Sequence, residues 1–349
     1  MSFQYPGGNN TFVPTPALSG NLQVAFSRNP ERFAVNKYIK LTPVRKNRGF
    51  YYYFNPLDLA RFVAGATAGN KWAPGTLAPT GFHNQQGFEL REYTAERYAF
   101  ATTLDEMGVE QADWPVAKTH ADKLAQDAMT NRAIKVATLL TTSGNYDSTH
   151  VATSTVASGG SGVMTGGTAS DPRIHKALNY AAQIIQKDTL GRISYKDLSI
   201  VMNPATAISL AQTQEIHSYV QQSPYALDQI RGLTPNQNAM FGLPDRLYGM
   251  KLIVEDAVYS TKNKGSTSTS LTSYAFPDNY IAVVTREEDL ESTEGAASYS
   301  SVHLFVNEDM KVEQQNDPWN RLLHMRVVDT FVEKFVAPVS AFLITNVSS

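Results

Sequence analysis

The stretch PVAKTHADKLAQDAMTNRAIKVATLLTTSGNYD, residues 115–147, determines how the rest of the chain is interpreted. Its apolar residues recur at steps of three and four with charged residues between them, which is the pattern of an amphipathic helix. Asp113 stands where an N-cap is expected, and Pro115 suits the first turn. Gly and Asn at 144–145 end the pattern. The sequence therefore predicts a helix over residues 115–142, about 42 Å long at about 1.5 Å per residue.

The predicted contact face of this helix is largely alanine. Its members are Val116, Ala121, Leu124, Ala128, Ala133 or Ile134, Val136, Leu139 and Leu140. Small side chains let neighbouring backbone approach closely, because the distance between packed elements depends on the side chains at the contact. We therefore expect a single helix lying on a sheet rather than one member of a leucine-packed bundle.

The composition indicates a globular chain with a neutral surface. With 349 residues, 42% of them hydrophobic and 10% aromatic, the chain can bury a large core and form two or three lobes. Only 18% of the residues are charged, below the quarter or so of an ordinary domain. Such a surface is expected where subunits pack against subunits, although a monomer can have the same composition.

Charge and cysteine content exclude several classes of function. The net charge of -2 gives no general attraction to nucleic acid or acidic membranes, so such binding would require a local patch. The absence of cysteine excludes disulfides, thiolate catalysis and cysteine-ligated metal sites. The N-terminus lacks the pattern of a signal peptide and no 18-residue apolar segment occurs, so we expect synthesis in the cytosol and no membrane partner.

The N-terminal third contains two unusual segments. The first thirty residues carry one charge, Arg28, and their prolines and glycines exclude a helix, so they are either an extended arm lying on another surface or a mobile terminus. Residues 32–57 are basic up to Asp58 and include the aromatic run 50–54. This pattern fits a strand with solvated cations, which we favour, or a groove for single-stranded nucleic acid. Together with the strand pattern of 88–104, it predicts a long two-stranded excursion.

The middle of the chain has the pattern of a compact α/β lobe. The Gly/Ser/Thr-rich tract 148–168 is either a flexible linker or a loop or weak strand passing between lobes. Ser170, Asp171 and Pro172 then predict a helix start, and the helix is expected to stop near Gly191. A buried strand over 197–203, a helix capped by Asn203, and strands within 248–260 and 279–286 are expected to follow. Residues 303–306 and 324–344 predict long strands.

No motif in the sequence carries catalytic chemistry. A Gly-x-Ser-x-Gly elbow is absent, and GGSGVMTGG at 159–167 fails the dinucleotide-binding spacing. The acidic residues at 287–289 and Glu291 are expected to form a solvated turn. The seven histidines show no metal-binding spacing: His83, His120, His150, His175, His217, His303 and His324. We assign no catalytic, cofactor-binding or metal-binding residue.

The order of these parts resembles the major capsid protein of tailed bacteriophages, the fold first seen in phage Hong Kong 97. The resemblance covers about residues 98–306 and depends on a succession of weak motifs. These are Asn145-Tyr146, the Ser-Asp-Pro start at 170–172, the helix IHKALNYAAQII, the string DLSIVMNPATAISL, and GLPDRLYGMKLIVEDAVYST at 242–261. It implies an α+β fold.

The resemblance implies a division into five parts. Residues 1–40 would be an N-terminal arm, 41–105 an extended loop formed by a β-hairpin, and 106–169 a peripheral domain with the spine helix 115–142. Residues 170–300 would be an axial domain, and 301–349 strands returning to the peripheral domain. The neutral N-terminus departs from the charged scaffold segment of many relatives. Lys71 in the loop is expected to be a solvated charge rather than a covalent cross-linking residue.

The function implied is structural and non-catalytic. Copies of the chain would form the pentamers and hexamers of an icosahedral shell in the virion, with scaffolding, portal or decoration proteins as possible partners. The shell would enclose double-stranded DNA without sequence specificity. Alternatives are an encapsulin-like compartment of the same fold, a nucleic-acid-binding protein that uses RKNRGFYYYF at 45–54, and an enzyme of unidentified chemistry.

Overall fold

The computed structural model describes residues 3–4, 11–12, 33–53, 74–75, 89–112, 115–160, 162–222, 243–262, 267, 271–286 and 300–348. The helices of this part are α1 Val35–Tyr38, α2 Glu106–Glu110, α3 Val116–Thr141, α4 Ser154–Ala157, α5 Arg173–Asp188, α6 Pro204–Ala211 and α7 Gln214–Gln222. The strands are β1 Phe3–Gln4, β2 Thr11–Phe12, β3 Lys40–Pro43, β4 Arg48–Tyr53, β5 Glu89–Thr94, β6 Glu96–Asp105, β7 Val151–Thr153, β8 Leu198–Met202, β9 Arg246–Leu247, β10 Met250–Val254, β11 Val258–Ser260, β12 Thr272–Tyr274, β13 Tyr280–Thr285, β14 Val302–Asp317, β15 Leu322–Phe335 and β16 Phe342–Thr345.

The long helix α3 lies on a four-stranded sheet. The strand order is β3-β14-β15-β6, and β14 and β15 form a long antiparallel hairpin. Ala128, Ala133 and Ala137 on the helix are fully buried. The predicted helix is confirmed to within one residue at each end, and so is its alanine-rich contact with a sheet.

A second sheet has six strands in the order β7-β16-β13-β8-β10-β9. All five residues of β8 are buried, as expected for a central strand. Asn203 follows β8 and caps α6, since its side chain accepts a hydrogen bond of 2.8 Å from the backbone N–H of Thr206. Pro204 is the first helical residue, so the predicted step from strand to helix is confirmed.

One continuous core joins the two sheets. Val201, Ala282 and Leu343 of the six-stranded sheet belong to the same buried cluster as Val136 of α3 and Phe331 of β15. The apolar residues of the segment 33–39, which contains α1, are buried in this cluster as well. Inside it, the hydroxyl of Tyr38 donates a 3.0 Å hydrogen bond to the buried carboxylate of Glu255.

The tract 148–168 is ordered rather than a linker. Strand β7 pairs in parallel with β16, and the side chain of Met164 is fully buried. The hydroxyl of Ser154 accepts a 2.7 Å hydrogen bond from the backbone N–H of Met164. Of the two interpretations of this tract, a loop with a weak strand is correct, because Ala152, Ala157 and Met164 are buried in the core.

The helix start predicted at 170–172 is confirmed, since α5 begins at Arg173. Its cap is not local, because the carboxylate of Glu215 accepts from the backbone N–H groups of Ile174 and His175, at 2.9 Å each. The segment 301–349 does not return as a whole to the sheet beneath α3, because β16 lies in the six-stranded sheet. An Asp113 cap on α3 and the acidic turn at 287–289 lie outside the described residues.

Candidate functional site

Strands β4 and β5 form a separate two-stranded ribbon, which is the candidate functional site. Phe50 lies opposite Glu92, and Tyr52 lies opposite Leu90. Because successive side chains on a strand point to opposite faces, these four side chains share the outer face of the ribbon. Tyr51, which alternates with them, belongs to the inner face.

Aromatic contacts fix the inner face to the four-stranded sheet. The ring of Tyr93 stacks on the ring of Phe305 with 4.7 Å between their centres, and the ring of Tyr51 lies 5.5 Å from Phe305. The Tyr93 ring also crosses over Gly49, where an added Cβ would lie 2.7 Å from the tyrosine oxygen. A residue with a side chain at position 49 would therefore push the ring away from Phe305.

The outer face presents three large apolar side chains to solvent. Phe50 is 71% exposed, Tyr52 57% and Leu90 58%. A single exposed apolar residue is ordinary, but three neighbours on one ribbon form a patch of the kind found at protein interfaces. A two-stranded ribbon is also marginal by itself, so this face is suited to contact with another surface.

The cations of the ribbon already have partners on it. Arg48 pairs with Glu92 at 2.6 Å, and Arg91 pairs with Glu89 at 2.9 Å. The guanidinium of Arg91 also lies 3.3 Å from the centre of the Tyr53 ring. Burial raises the pKa of Tyr53 above its usual value. In the run RKNRGFYYYF, Arg48 is therefore paired with an acid and the rings of Tyr51 and Tyr53 contact groups of the same chain, which weighs against the nucleic-acid interpretation.

A cavity of about 980 Å³ lies between the ribbon, the end of α3 and the end of β15. Its wall mixes acids with cations and tyrosines: Glu92, Glu96, Glu333, Asp147, Arg91, Lys135, Lys334, Tyr51, Tyr53, Tyr98 and Tyr146. Burial raises the pKa of Glu333, and burial together with a hydrogen bond to Glu96 raises the pKa of Tyr98. The described residues bring together no group of three potential metal ligands here or elsewhere. We derive no catalytic chemistry from this wall.

A buried ion pair connects α3 to the sheet behind the ribbon. Arg132, which is 2% exposed, donates two hydrogen bonds to the fully buried carboxylate of Asp329, at 2.7 and 2.6 Å. A third bond of 2.7 Å reaches the exposed Asp309. Desolvation raises the pKa of Asp329, and the hydrogen bonds from Arg132 oppose that rise. The pair therefore holds the helix at one position on the β14–β15 hairpin.

Comparison with solved structures gives the fold. A phage-related protein from Bordetella bronchiseptica RB50 superposes with a TM-score of 0.58 at 11% identity, over 92% of this chain and 93% of the other. The capsid of cyanophage P-SCSP1u superposes with a TM-score of 0.56 at 12% identity, over 97% of this chain and 94% of the other. The mature capsid of bacteriophage PhiM1 superposes with a TM-score of 0.53 at 10% identity, over 99% of this chain and 96% of the other. The chain has the Hong Kong 97-type capsid fold. Its sequence matches no protein-family model and no curated protein.

The capsid fold confirms the α+β class expected from the sequence. Among the described strands of the predicted loop 41–105, β4 and β5 form the separate ribbon, whereas β3 pairs with β14 and β6 pairs with β15 in the sheet under α3. Lys71 and most of the N-terminal arm lie outside the described residues. None of the described helices combines the length and apolar character needed to cross a membrane.

Sequence reasoning missed two features of this capsid fold. The amphipathic pattern places the charged residues of α3 off its contact face, yet the structure buries Arg132, and its partner Asp329 is 197 positions away. A signal was present, because Leu124, Ala128, Arg132, Val136 and Leu140 follow one another at steps of four on the buried face. The second missed feature is Trp319, which lies in the turn that joins β14 to β15.

Proposed function

We propose that the chain is a major capsid protein, many copies of which assemble into an icosahedral shell around the double-stranded DNA of a tailed bacteriophage. The likeness to solved phage capsids over nearly the whole chain is the observation that carries this proposal. The protein then acts by self-association rather than by catalysis, and it resides in the virion. The pentamers and hexamers of such a shell are its principal partners.

The apolar outer face of the ribbon supports a role in assembly. Phe50, Tyr52 and Leu90 remain exposed in a single copy, and burying them against a neighbouring copy would remove this apolar surface from water. We propose that residues 41–105 include an extended loop that overlaps the adjacent subunit through this face. Residues 1–40 would act as an arm toward neighbours, 106–169 as a peripheral domain and 170–300 as an axial domain.

Electron microscopy of the purified full chain tests the proposal. We expect closed particles from the wild type and small oligomers from the variant Phe50→Ser/Tyr52→Ser/Leu90→Ser, with an unchanged melting temperature for the unassembled chain. Glu92→Ser is the matched control, because it alters the same face without removing apolar surface, and its exposed pair with Arg48 contributes at most about 1 kcal/mol. It should assemble normally.

Two results would contradict the proposal. A wild-type chain that stays monomeric at high concentration would exclude a shell protein, and a triple variant that assembles like the wild type would exclude the ribbon face from assembly. Particles isolated from the native source and treated with nuclease add a further test. Protected DNA supports a virus shell, whereas an enzyme cargo without DNA would indicate a protein compartment.

A further inference from the structure

The turn of the β14–β15 hairpin presents a tryptophan to solvent. Trp319 is 94% exposed, the highest value among the exposed large apolar side chains of the described residues. The carboxylate of Asp317 holds this turn by accepting from the backbone N–H groups of Trp319 and Asn320, at 3.1 and 3.3 Å, and from the Asn320 amide at 2.7 Å. The tryptophan is therefore carried on a braced turn.

The same hairpin also carries a concavity. On the sheet face away from α3, Glu313 lies opposite Arg326, which lies opposite Ala101. In the next row on that face, His324 lies opposite Thr103. Here the structure forms an open depression of about 570 Å³, which is within the range of small-ligand pockets and large enough for one indole.

The lining of the concavity suits an aromatic ring. Arg326 forms an ion pair of 2.7 Å with Glu313 on this face, and its side chain is still 60% exposed. Lys311 adds a second cation at 3.6 Å from Glu313, so two cations face one carboxylate. A guanidinium stacks favourably on the electron-rich face of an indole, and tryptophan is the best aromatic partner for it.

The tryptophan does not fill the concavity of its own chain. Trp319 lies in the turn beyond the end of β14, and its 94% exposure shows that the ring lies free of its own sheet. The concavity is therefore open to an indole from another molecule.

We propose that Trp319 of one copy docks into the concavity of a second copy and stacks on Arg326 there. This inference rests on the proposed function, which supplies neighbouring copies. The hairpin carries both the donor and the acceptor of the contact, so each copy gives one indole and receives one. A contact of this kind between different patches closes into a ring when the copies are related by rotation. Tryptophan is also one of the residue types that are enriched among interface hot spots.

Cross-linking tests whether Trp319 of one copy lies at the concavity of another. Because the chain contains no cysteine, each introduced cysteine is the only site that a maleimide can label on it. Chains with Pro318→Cys are co-assembled with chains carrying Ala101→Cys and treated with a short bis-maleimide. Within one chain the two positions are about 17 Å apart along the strands, beyond the reach of the reagent. We expect covalent dimers between the two kinds of chain, and their loss when Trp319→Ala is added to the Pro318→Cys chain.

Val156→Cys is the matched cross-linking control, because Val156 is exposed on α4, outside the hairpin. Chains with this cysteine should not cross-link to Pro318→Cys chains. Equal cross-linking at Ala101 and Val156, or no cross-link in assembled particles, would overturn the inference. Capture of another protein or of nucleic acid by the tip in place of a second copy would overturn it as well.

A concentration series tests the strength of the contact. Trp319→Ala should raise the chain concentration needed for assembly at least about tenfold, as expected for loss of a hot-spot side chain, while the melting temperature of the unassembled chain stays unchanged. Val312→Ala removes exposed apolar surface from the same hairpin on the side that faces α3, and it should assemble normally. If the wild type forms particles and Trp319→Ala assembles equally well, this inference is wrong and the proposed function still stands. If the wild type forms none, the proposed function fails, and the inference with it.

Discussion

Replacing Arg132 by methionine should destabilise the unassembled chain by about 3–5 kcal/mol at neutral pH, the range for breaking a buried ion pair from one side. The variant removes both hydrogen bonds to Asp329 and leaves that carboxylate fully buried without its cation. The bond to Asp309 adds little to the cost, since that side chain is 70% exposed and remains in water. Methionine has a similar length and keeps the packing of α3 on the sheet.

The loss should depend on pH in a defined direction. Burial raises the pKa of Asp329, and Arg132 opposes that rise, so the pKa of Asp329 should be higher in the variant. An acid whose pKa is higher in the folded state loses stability as the pH rises from its unfolded to its folded pKa. The destabilisation should therefore be smallest near pH 4 and reach its full value above the raised pKa. In total it should grow by about 1.4 kcal/mol for each unit by which the folded pKa of Asp329 in the variant exceeds its folded pKa in the wild type.

Urea unfolding at pH 4.5 and 7.5, monitored by circular dichroism, measures this effect. The double variant Arg132→Met/Asp329→Leu should recover most of the loss, because no charge then remains buried. Asp309→Asn, the control, should change the unfolding free energy by less than about 1 kcal/mol. A loss for Arg132→Met that is below about 1 kcal/mol, or that is equal at both pH values, would refute this account of the pair.

Three further predictions concern other positions. Gly49→Val should lower the unfolding free energy by about 1–3 kcal/mol, because the new side chain collides with Tyr93, and near-UV circular dichroism should report the displaced ring. His303 is buried, and its pKa is lowered to about 4 by burial and by Lys40, so a stabilising contribution should be lost as the pH falls from about 6.5 to about 4. That loss should reach about 3 kcal/mol and be absent in His303→Gln, as measured by urea unfolding across this range. Leu190 is exposed in the left-handed region with φ 55°, so Leu190→Gly should raise the unfolding free energy by about 0.5–1 kcal/mol, measured by thermal melting.

Each of these predictions has a clear contrary result. Retained near-UV signal and stability in Gly49→Val would mean that the ribbon yields without moving Tyr93. A titration of stability that is the same in the wild type and in His303→Gln would mean that another group controls the acid range. A lower melting temperature for Leu190→Gly would show that the leucine side chain stabilises the helix end more than its backbone conformation costs.

Local pattern was sufficient wherever a residue's structure depends on its neighbours in the chain. The periodicity of residues 115–142 predicted α3 and its contact face, and Asn203 before Pro204 predicted the end of a strand and the start of a helix. The run of β-branched and aromatic residues near the C-terminus predicted β15 rather than a helix. These signals succeed because helix and strand periods, caps and proline geometry act over a few residues.

Only the tertiary structure decided which distant segments meet. The sequence could not reveal that Glu215 caps α5, that Asp329 pairs with Arg132, or that β16 leaves its neighbour β15 for the other sheet. Nor could it show that Tyr51 faces inward while Phe50 and its outer-face neighbours stay exposed, since both faces of the ribbon carry aromatic residues. The physical reason is that burial and charge pairing depend on long-range contacts, and these form only when the whole core closes.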